Sequence, residues 1–385
     1  MKKKIAIFGS TGSIGKSLIE IIKKDKKNFE VILLTANKND KLLIKQAKLL
    51  NAKNIIITDE KKYKNLIKKK TKIRIFNNFD NLKNIFYKKV DYIMIAISGT
   101  NGLKPTFNSI KYTKKIAIAN KESIICAWNI LKKELKKNKT QFIPVDSEHF
   151  SISRAIDDES IMNIDKIFIT ASGGPFYNLP LSKFNKIKIK DAIKHPNWRM
   201  GKKISIDSST MMNKIFEIIE AKNIFNLNLK SLKILIHRDS YLHAIVKFKD
   251  GFTKMIIHDT DMKIPIFNTL FKNKKYYKKI NNFDLAKINN LKLEHPNKKK
   301  FPLLNLLDNF PDKFSLFETV VVSTNDSLVE MFLLGKIKFK SIHKLFFSII
   351  NDKELNKYKL IVPKNIQEVI KLKIFVQKKI KSRYI

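Results

Sequence analysis

Two carboxylates stand two residues apart, Asp146 and Glu148, in the stretch Q-F-I-P-V-D-S-E-H-F from Gln141 to Phe150. Phe142, Ile143 and Val145 read as the end of a buried strand, and in an extended segment residues i and i+2 project to the same side. Like charges held that close repel and are costly to bury alone. A hard divalent cation such as Mg²⁺ or Mn²⁺ takes oxygen ligands and removes the conflict. A solvated acidic turn at the start of a helix also explains a D-x-E by itself, so the other chemistry-bearing residues must decide.

Several such residues follow short apolar runs. After Ile5–Phe8 comes G-S-T-G-S-I-G (Gly9 to Gly15) and then a helical pattern from about Lys16 to Lys24. A glycine-rich turn between strand and helix lets backbone N–H groups reach a pyrophosphate at the helix N-terminus. The second run ends Thr35-Ala36-Asn37-Lys38-Asn39, with no carboxylate before Asp40. An acidic residue there would bind the ribose 2′-hydroxyl of NAD; Lys38 is placed instead to meet a 2′-phosphate, which points to NADPH. Lys121 and Glu122 also follow a strand-like run, where open α/β sheets bind ligands; a plain Lys–Glu pair in a first helical turn is the alternative.

Further along, Ser172-Gly173-Gly174 follows the run Ile167–Thr170 and can cradle an anion through backbone N–H groups. Lys190–Lys203 holds His195-Pro196-Asn197-Trp198-Arg199-Met200-Gly201 without clear periodicity, as a mobile lid would. Asp207-Ser208-Ser209-Thr210 reads as the cap of a helix. On that helix Asn213 and Glu217, four apart, share a face beside Lys214. Glu217 is a third carboxylate.

The elements that must position these groups are read from periodicity. The runs Ile5–Phe8, Val31–Thr35, Asn54–Thr58, Ile73–Phe76, Tyr92–Ile97, Ile116–Ala119 and Phe142–Val145 alternate with helical stretches. That predicts βαβ units: an α/β, doubly wound parallel sheet of Rossmann type. Strands at Leu232–Ile236, His243–Phe248 and Lys254–His258 predict a small mixed or antiparallel sheet in an α+β domain, and the last 85 or so residues read mostly as helices. The expected division is 1–146 for the nucleotide, 147–271 for catalysis with a lid at 190–203, a linker at 272–300, and a helical domain at 301–385.

With 385 residues and 44% hydrophobic content, the chain is globular and has room for several cores. Its longest apolar run is too short to span a bilayer, a strand expected by Ile5 leaves no room for a signal peptide, and the single cysteine, Cys126, suits a reducing cytoplasm. The formal charge of +44 invites a nucleic-acid reading, but only five of the 78 basic residues are arginine and the lysines are spread along the whole chain. No specific nucleic-acid or membrane partner is expected.

Taken together, these motifs resemble the 1-deoxy-D-xylulose 5-phosphate reductoisomerase family. The matching stretches are G-S-T-G-S-I-G (9–15), A-N-K-E-S (119–123), P-V-D-S-E-H (144–149), S-G-G-P-F (172–176), H-P-N-W-R-M-G (195–201) and D-S-S-T-M-M-N-K-I-F-E-I-I-E-A (207–221). The resemblance implies a homodimeric enzyme that rearranges and reduces a sugar phosphate with NADPH and a divalent metal. It implies Asp146, Glu148 and Glu217 as metal ligands. It implies Lys121, Ser147, Glu148, Ser172, His195, Trp198, Ser208, Asn213, Lys214 and Glu217 around the substrate, with Lys121, Glu148 and His195 catalytic. Thr11, Gly12, Ser13, Ile14, Asn37, Lys38, Asn39, Asn120, Glu122 and Gly201 match cofactor contacts, and Trp198 and Met200 the lid.

Some positions depart from the pattern. Asn37 replaces a usual glycine, His237-Arg238-Asp239-Ser240 replaces His-Pro-Gln-Ser, Ser323-Thr324-Asn325-Asp326 replaces Asn-Ala-Ala-Asn-Glu, and Phe150 replaces a small or polar residue. All are expected to bear on dimer contacts and closure and to leave the metal and phosphate groups untouched. Two other readings stand beside the resemblance. One is a simple NADP-dependent dehydrogenase, for which metal-independent turnover would speak. The other is a lysine-rich nucleic-acid-binding protein, for which tight duplex binding at physiological salt would speak.

Overall fold

Near-continuous apolar runs suit strands covered on both faces, and seven of them form one sheet in the computed structural model. They are β1 (Lys3–Phe8), β2 (Phe29–Ala36), β3 (Asn54–Ile57), β4 (Arg74–Phe76), β5 (Tyr92–Ile95), β6 (Lys115–Ile118) and β7 (Gln141–Pro144), in the order β4-β3-β2-β1-β5-β6-β7. Every ladder is parallel. The structure describes residues 1–157, 159–198, 200–271 and 284–384. Chain order reverses at β1, flanked by β2 and β5, and the carboxyl ends of such a switch point are where doubly wound sheets bind ligands.

The first compact unit comprises Met1–Ser123, Leu131–Asp146 and, of the described residues, 262–271. Ile5, Ile7, Leu34, Ile55 and Met94 of its sheet pack with Leu18 and Ile22 of the helix Ser13–Lys24. The helix Lys263–Leu270 lies in this unit, although 262–271 was expected with residues 147–261. The reason is its apolar face: Ile266, Phe267 and Leu270 join the same core, and Thr269 Oγ1 is 2.8 Å from the Tyr92 hydroxyl.

The second unit holds 124–130, 147–261 and, of the described residues, 284–384. Its sheet is mixed: β8 (Ile164–Ala171), β9 (Leu232–Ile236), β10 (Leu242–Phe248) and β11 (Thr253–Ile257), ordered β11-β10-β8-β9. β8 and β9 run parallel, and the other ladders are antiparallel. The helix Met212–Phe225 is buried nearly all round, its polar Lys214, Glu217, Glu220, Lys222 and Asn223 included.

The C-terminal helices Phe317–Leu333, Ser341–Ile350 and Ile366–Tyr384 belong to this same unit and not to a separate domain. Phe317, Val320, Val321 and Phe346 are fully buried within it. Of the expected linker, 272–283 falls outside the described residues. The rest contains the helix Leu285–Asn289 and a bridge pairing Glu294 with Ile236.

Two local expectations are corrected. Glu148 is not on an extended strand end, because β7 stops at Pro144 and the helix Ser147–Ile156 carries Glu148 in its first turn. Asp207-Ser208-Ser209-Thr210 does not cap the helix Met212–Phe225. It ends a preceding helix, Lys202–Ser209, because Met211 takes the left-handed conformation (φ 66°) and becomes the N-cap. The Asp207 carboxylate is engaged by Lys203 (3.0 Å) and Asn325 (2.7 Å) instead.

A close backbone approach in the first unit is at Gly15. A Cβ there would lie 2.4 Å from Gly9 O and 2.5 Å from Ser10 Cα, both backbone atoms that cannot swing aside. Gly15→Ala should therefore lower stability by at least about 1–3 kcal/mol in urea unfolding. A loss under about 0.5 kcal/mol, the ordinary surface range, would contradict this packing.

Candidate functional site

In the first unit the glycine-rich turn is shaped from within. Gly9 has φ 86°, and a Cβ on it would meet Ala96 O at 2.6 Å. Gly9 N donates to Thr35 Oγ1 (2.9 Å), Ser10 N to Thr35 O (2.8 Å) and Ser10 Oγ to Gln46 (2.8 Å). Gly12 is the N-cap of the helix Ser13–Lys24, so no side chain at that position caps the helix start. Thr11 and Ile14 are half-buried there; Gly12 and Ser13 are exposed. That arrangement suits an anion.

Lys38 is exposed just past β2. Its neighbours already have structural partners: Asn37 Nδ2 donates to Thr58 Oγ1 (2.8 Å), and Asn39 caps the helix Asp40–Leu50 by accepting from Leu42 N (3.2 Å). At the end of β6, Asn120 caps the helix Lys121–Lys137 by accepting from Ser123 N. It also donates to Ile97 O (2.7 Å), Gly99 O (2.8 Å) and Glu122 Oε2 (2.9 Å). Lys121 pairs with Asp146 at 3.0 Å. Asp146 closes this unit in sequence, and one residue, Ser147, separates it from Glu148.

In the second unit, Lys214 ties two carboxylates together. Its ammonium donates to Glu148 Oε1 at 2.7 Å and to Glu217 Oε2. All three side chains are largely withdrawn from water: 6% exposed for Lys214, 13% for Glu148 and 1% for Glu217. Burial works against the ammonium, but the two carboxylates outweigh it and hold the Lys214 pKa above its ordinary value. Asn213 also donates to Glu217, and Ser147 donates to Glu148 at 2.6 Å. Glu148 therefore stands at a helix start, but it is no solvated turn.

A second cluster surrounds Ser172. His195 Nδ1 accepts the N–H groups of Asn197 (3.2 Å) and Trp198 (3.0 Å). That assigns the ring proton to Nε2, which donates to Ser172 Oγ at 2.9 Å. Burial, then the nearby Arg238 and Lys214 cations, push the His195 pKa down to about 4, so the ring is a neutral donor. Ser172 Oγ also accepts Gly174 N–H (3.1 Å), which leaves its own proton to donate. Ser208 backs onto this loop: a Cβ on Gly174 would come within 2.8 Å of Ser208 O.

Within the expected lid, Trp198 is half-buried and meets His243 edge-on at 6.0 Å, while His243 stacks on His258 at 3.6 Å. Met200 is half-buried as well. Gly201 is exposed with open space around it, as the N-cap of the helix Lys202–Ser209.

Some groups at the site had no role assigned from sequence. His149 is fully buried, donates through Nε2 to Glu217 O (2.9 Å) and faces Glu220 at 3.4 Å. It thereby links the helix bearing Glu148 to the helix bearing Glu217. Its place inside P-V-D-S-E-H was the available signal. The departures at Arg238 and Asn325-Asp326 are corrected too. Arg238 donates to Ser172 O and Gly174 O, so it touches the Ser172–Gly174 loop, and Asn325 and Asp326 anchor Asp207 and Lys203 beside Ser208.

Three family models match the chain. "1-deoxy-D-xylulose 5-phosphate reductoisomerase" matches residues 5–128, its C-terminal domain 142–225, and "DXP reductoisomerase C-terminal domain" 257–379. The chain is 58% identical over 384 residues, 99% of both chains, to the 1-deoxy-D-xylulose 5-phosphate reductoisomerase of Pelagibacter ubique (strain HTCC1062). It is 33% identical to that of Caldanaerobacter subterraneus subsp. tengcongensis, over the whole of both. Among solved structures it resembles the Zymomonas mobilis reductoisomerase in complex with NADPH, with a TM-score of 0.87, 32% identity and 98% of each chain covered. It also resembles a DOX-P reductoisomerase in complex with NADPH, fosmidomycin and magnesium, with a TM-score of 0.91, 28% identity, and 99% and 98% covered.

The neutral state of His195 sets a sign for pH dependence. The folded protein resists a proton that the unfolded chain accepts near 6.5. Protonation therefore favours unfolding, and His195 should lower stability as pH falls from about 6.5 through about 4. Nitrogen-15 NMR at pH 5.5 should show His195 neutral with its proton on Nε2. A titration midpoint at or above 6.5 would contradict this geometry.

Proposed function

Because the chain belongs to the 1-deoxy-D-xylulose 5-phosphate reductoisomerase family, we infer that it converts 1-deoxy-D-xylulose 5-phosphate to 2-C-methyl-D-erythritol 4-phosphate. The reaction depends on NADPH and a divalent metal and belongs to the methylerythritol phosphate route to isoprenoid precursors. The observation that carries this reading is the buried pair Glu148 and Glu217 gathered on one cation, Lys214. A place that holds positive charge between two hard oxygen donors fits Mg²⁺ or Mn²⁺, and the family resemblance adds Asp146 to the donor set. The uncapped helix start after Gly12, with Lys38 past β2, fits NADPH.

When bound, the cation supplies Lewis-acid polarisation of the substrate's ketone and adjacent hydroxyl, and NADPH supplies the hydride. The chain's residues do the rest. Ser172, Ser208, Asn213 and Lys214 hold the phosphate, a non-reacting end whose binding energy orients the other. His195, neutral, fixes Ser172 as a hydrogen-bond donor toward that phosphate. Lys121 Nζ, held as an ammonium by Asp146, donates a hydrogen bond to a substrate oxygen, and Ser147 keeps the Glu148 carboxylate aimed. Trp198 and Met200 close over the substrate and exclude water. Thr11, Gly12, Ser13, Ile14, Asn37, Lys38, Asn39, Asn120, Glu122 and Gly201 contact the cofactor, the asparagines chiefly by shaping its loops. The active form is a homodimer in the cytoplasm, consistent with the family and with a lone buried cysteine.

The test is NADPH oxidation with 1-deoxy-D-xylulose 5-phosphate, with and without Mn²⁺. Turnover should require both, and excess chelator should abolish it. Reduction that continues undiminished in chelator would mean a metal-independent dehydrogenase instead.

A further inference from the structure

One cation outside the groups assigned above lies against the Ser172–Gly174 loop. Arg238 follows β9, and its Nη1 donates to Ser172 O and, at 3.1 Å, to Gly174 O. The guanidinium sits over the Tyr177 ring, 4.8 Å from its centre. The Tyr177 hydroxyl in turn donates to Glu294. Glu294 is itself fixed by a pair of backbone bonds to Ile236, 2.7 and 3.1 Å, at the end of β9. The arginine is thus held by its own strand, by an aromatic face and by two carbonyls.

This changes what the loop can offer a ligand. A trans peptide points its C=O and the following N–H to opposite sides, so drawing Ser172 O onto Arg238 turns Gly173 N–H the other way. Gly173 and Gly174 both have positive φ, 76° and 69°; Gly174 N–H is taken by Ser172 Oγ, so the backbone donor turned away from Arg238 is Gly173 N–H. Arg238 also reaches the lid. Its backbone carbonyl accepts from Asn197 Nδ2, which donates as well to Ser240 Oγ at 2.9 Å. Asn197 and Trp198 then orient His195, and His195 orients Ser172. Arg238, Asn197, His195 and Ser172 form one closed ring of contacts around the loop.

We propose that Arg238 is a positioning residue for the phosphate end of the substrate. It keeps the Ser172 and Gly174 carbonyls turned from the ligand and places a fixed guanidinium charge beside the loop. This rests on the phosphate-site reading given above.

The experiment is calorimetric titration of the Mn²⁺- and NADPH-loaded protein with a hydroxamate-bearing propylphosphonate and with the same hydroxamate lacking the phosphonate. NADPH titration of the Mn²⁺-loaded protein serves as the control for folding. Arg238→Gln should weaken the phosphonate roughly 10–100-fold, the range of a charge-assisted contact, and leave the phosphonate-free hydroxamate and NADPH within about twofold. Arg238→Lys, which keeps the charge but not the fork, should recover part of the loss. If the parent prefers the phosphonate and Arg238→Gln does too, to the same degree, the inference about Arg238 is overturned and the phosphate site stands. Equal weakening of all three ligands would overturn that inference in the same way. A parent that binds both hydroxamates alike would overturn the phosphate-site reading itself, and Arg238's role with it.

Discussion

Two carboxylates buried on neighbouring helices cannot both be charged unless a cation stands between them. Glu148 and Glu217 meet this condition through Lys214, and much of the second unit is arranged to keep them together. His149 bonds the backbone of Glu217 from the helix that carries Glu148. Asn213 and Ser147 hold the outer carboxylate oxygens. On the reading proposed above, a divalent ion would take the place of the Lys214 ammonium between the two carboxylates, where oxygen donors already converge, and the ammonium would turn to the phosphate.

The Ser172–Gly174 loop, proposed above to hold the phosphate, would obey the complementary rule: donors presented and acceptors hidden. His195 stays neutral because burial and two cations oppose its protonation, and with Nδ1 taken by two backbone N–H groups it holds Ser172 from the Nε2 side. Arg238 takes up the carbonyls. Behind Ser208, Asp207 is tied to Asn325 and Lys203, and Lys203 to Asp326. These ties connect the loop to the buried helix Phe317–Leu333, so a remote helix supports the site's geometry.

The parallel sheet was legible because strands buried on both faces are written as unbroken apolar runs, and because glycine turns mark where backbone must come close. The site groups were legible as motifs, but their geometry was not. The D-x-E pair read as a strand end because apolar residues precede it; the helix start was the other local reading, and Pro144, which cannot donate to a ladder, is where the strand in fact stops. Asp207-Ser208-Ser209-Thr210 has the composition of a cap, yet a left-handed Met211 moves the helix start past it, and no residue preference signals a methionine there. Arg238 was invisible as a site residue because its partners, Ser172 and Gly174, lie more than sixty positions away in sequence. Such pairings are set by tertiary packing alone.

The central claim is that Glu148 and Glu217 form a divalent-cation site. Electron paramagnetic resonance titration of Mn²⁺ measures this directly, on the parent and on Glu217→Gln, a substitution that keeps the shape and removes the charge. The parent should bind Mn²⁺ at a single tight site, and the variant should bind it at least about tenfold more weakly while keeping its affinity for NADPH. Equal Mn²⁺ affinity in both proteins would contradict the account, for it would place the metal, if there is one, somewhere other than on these carboxylates.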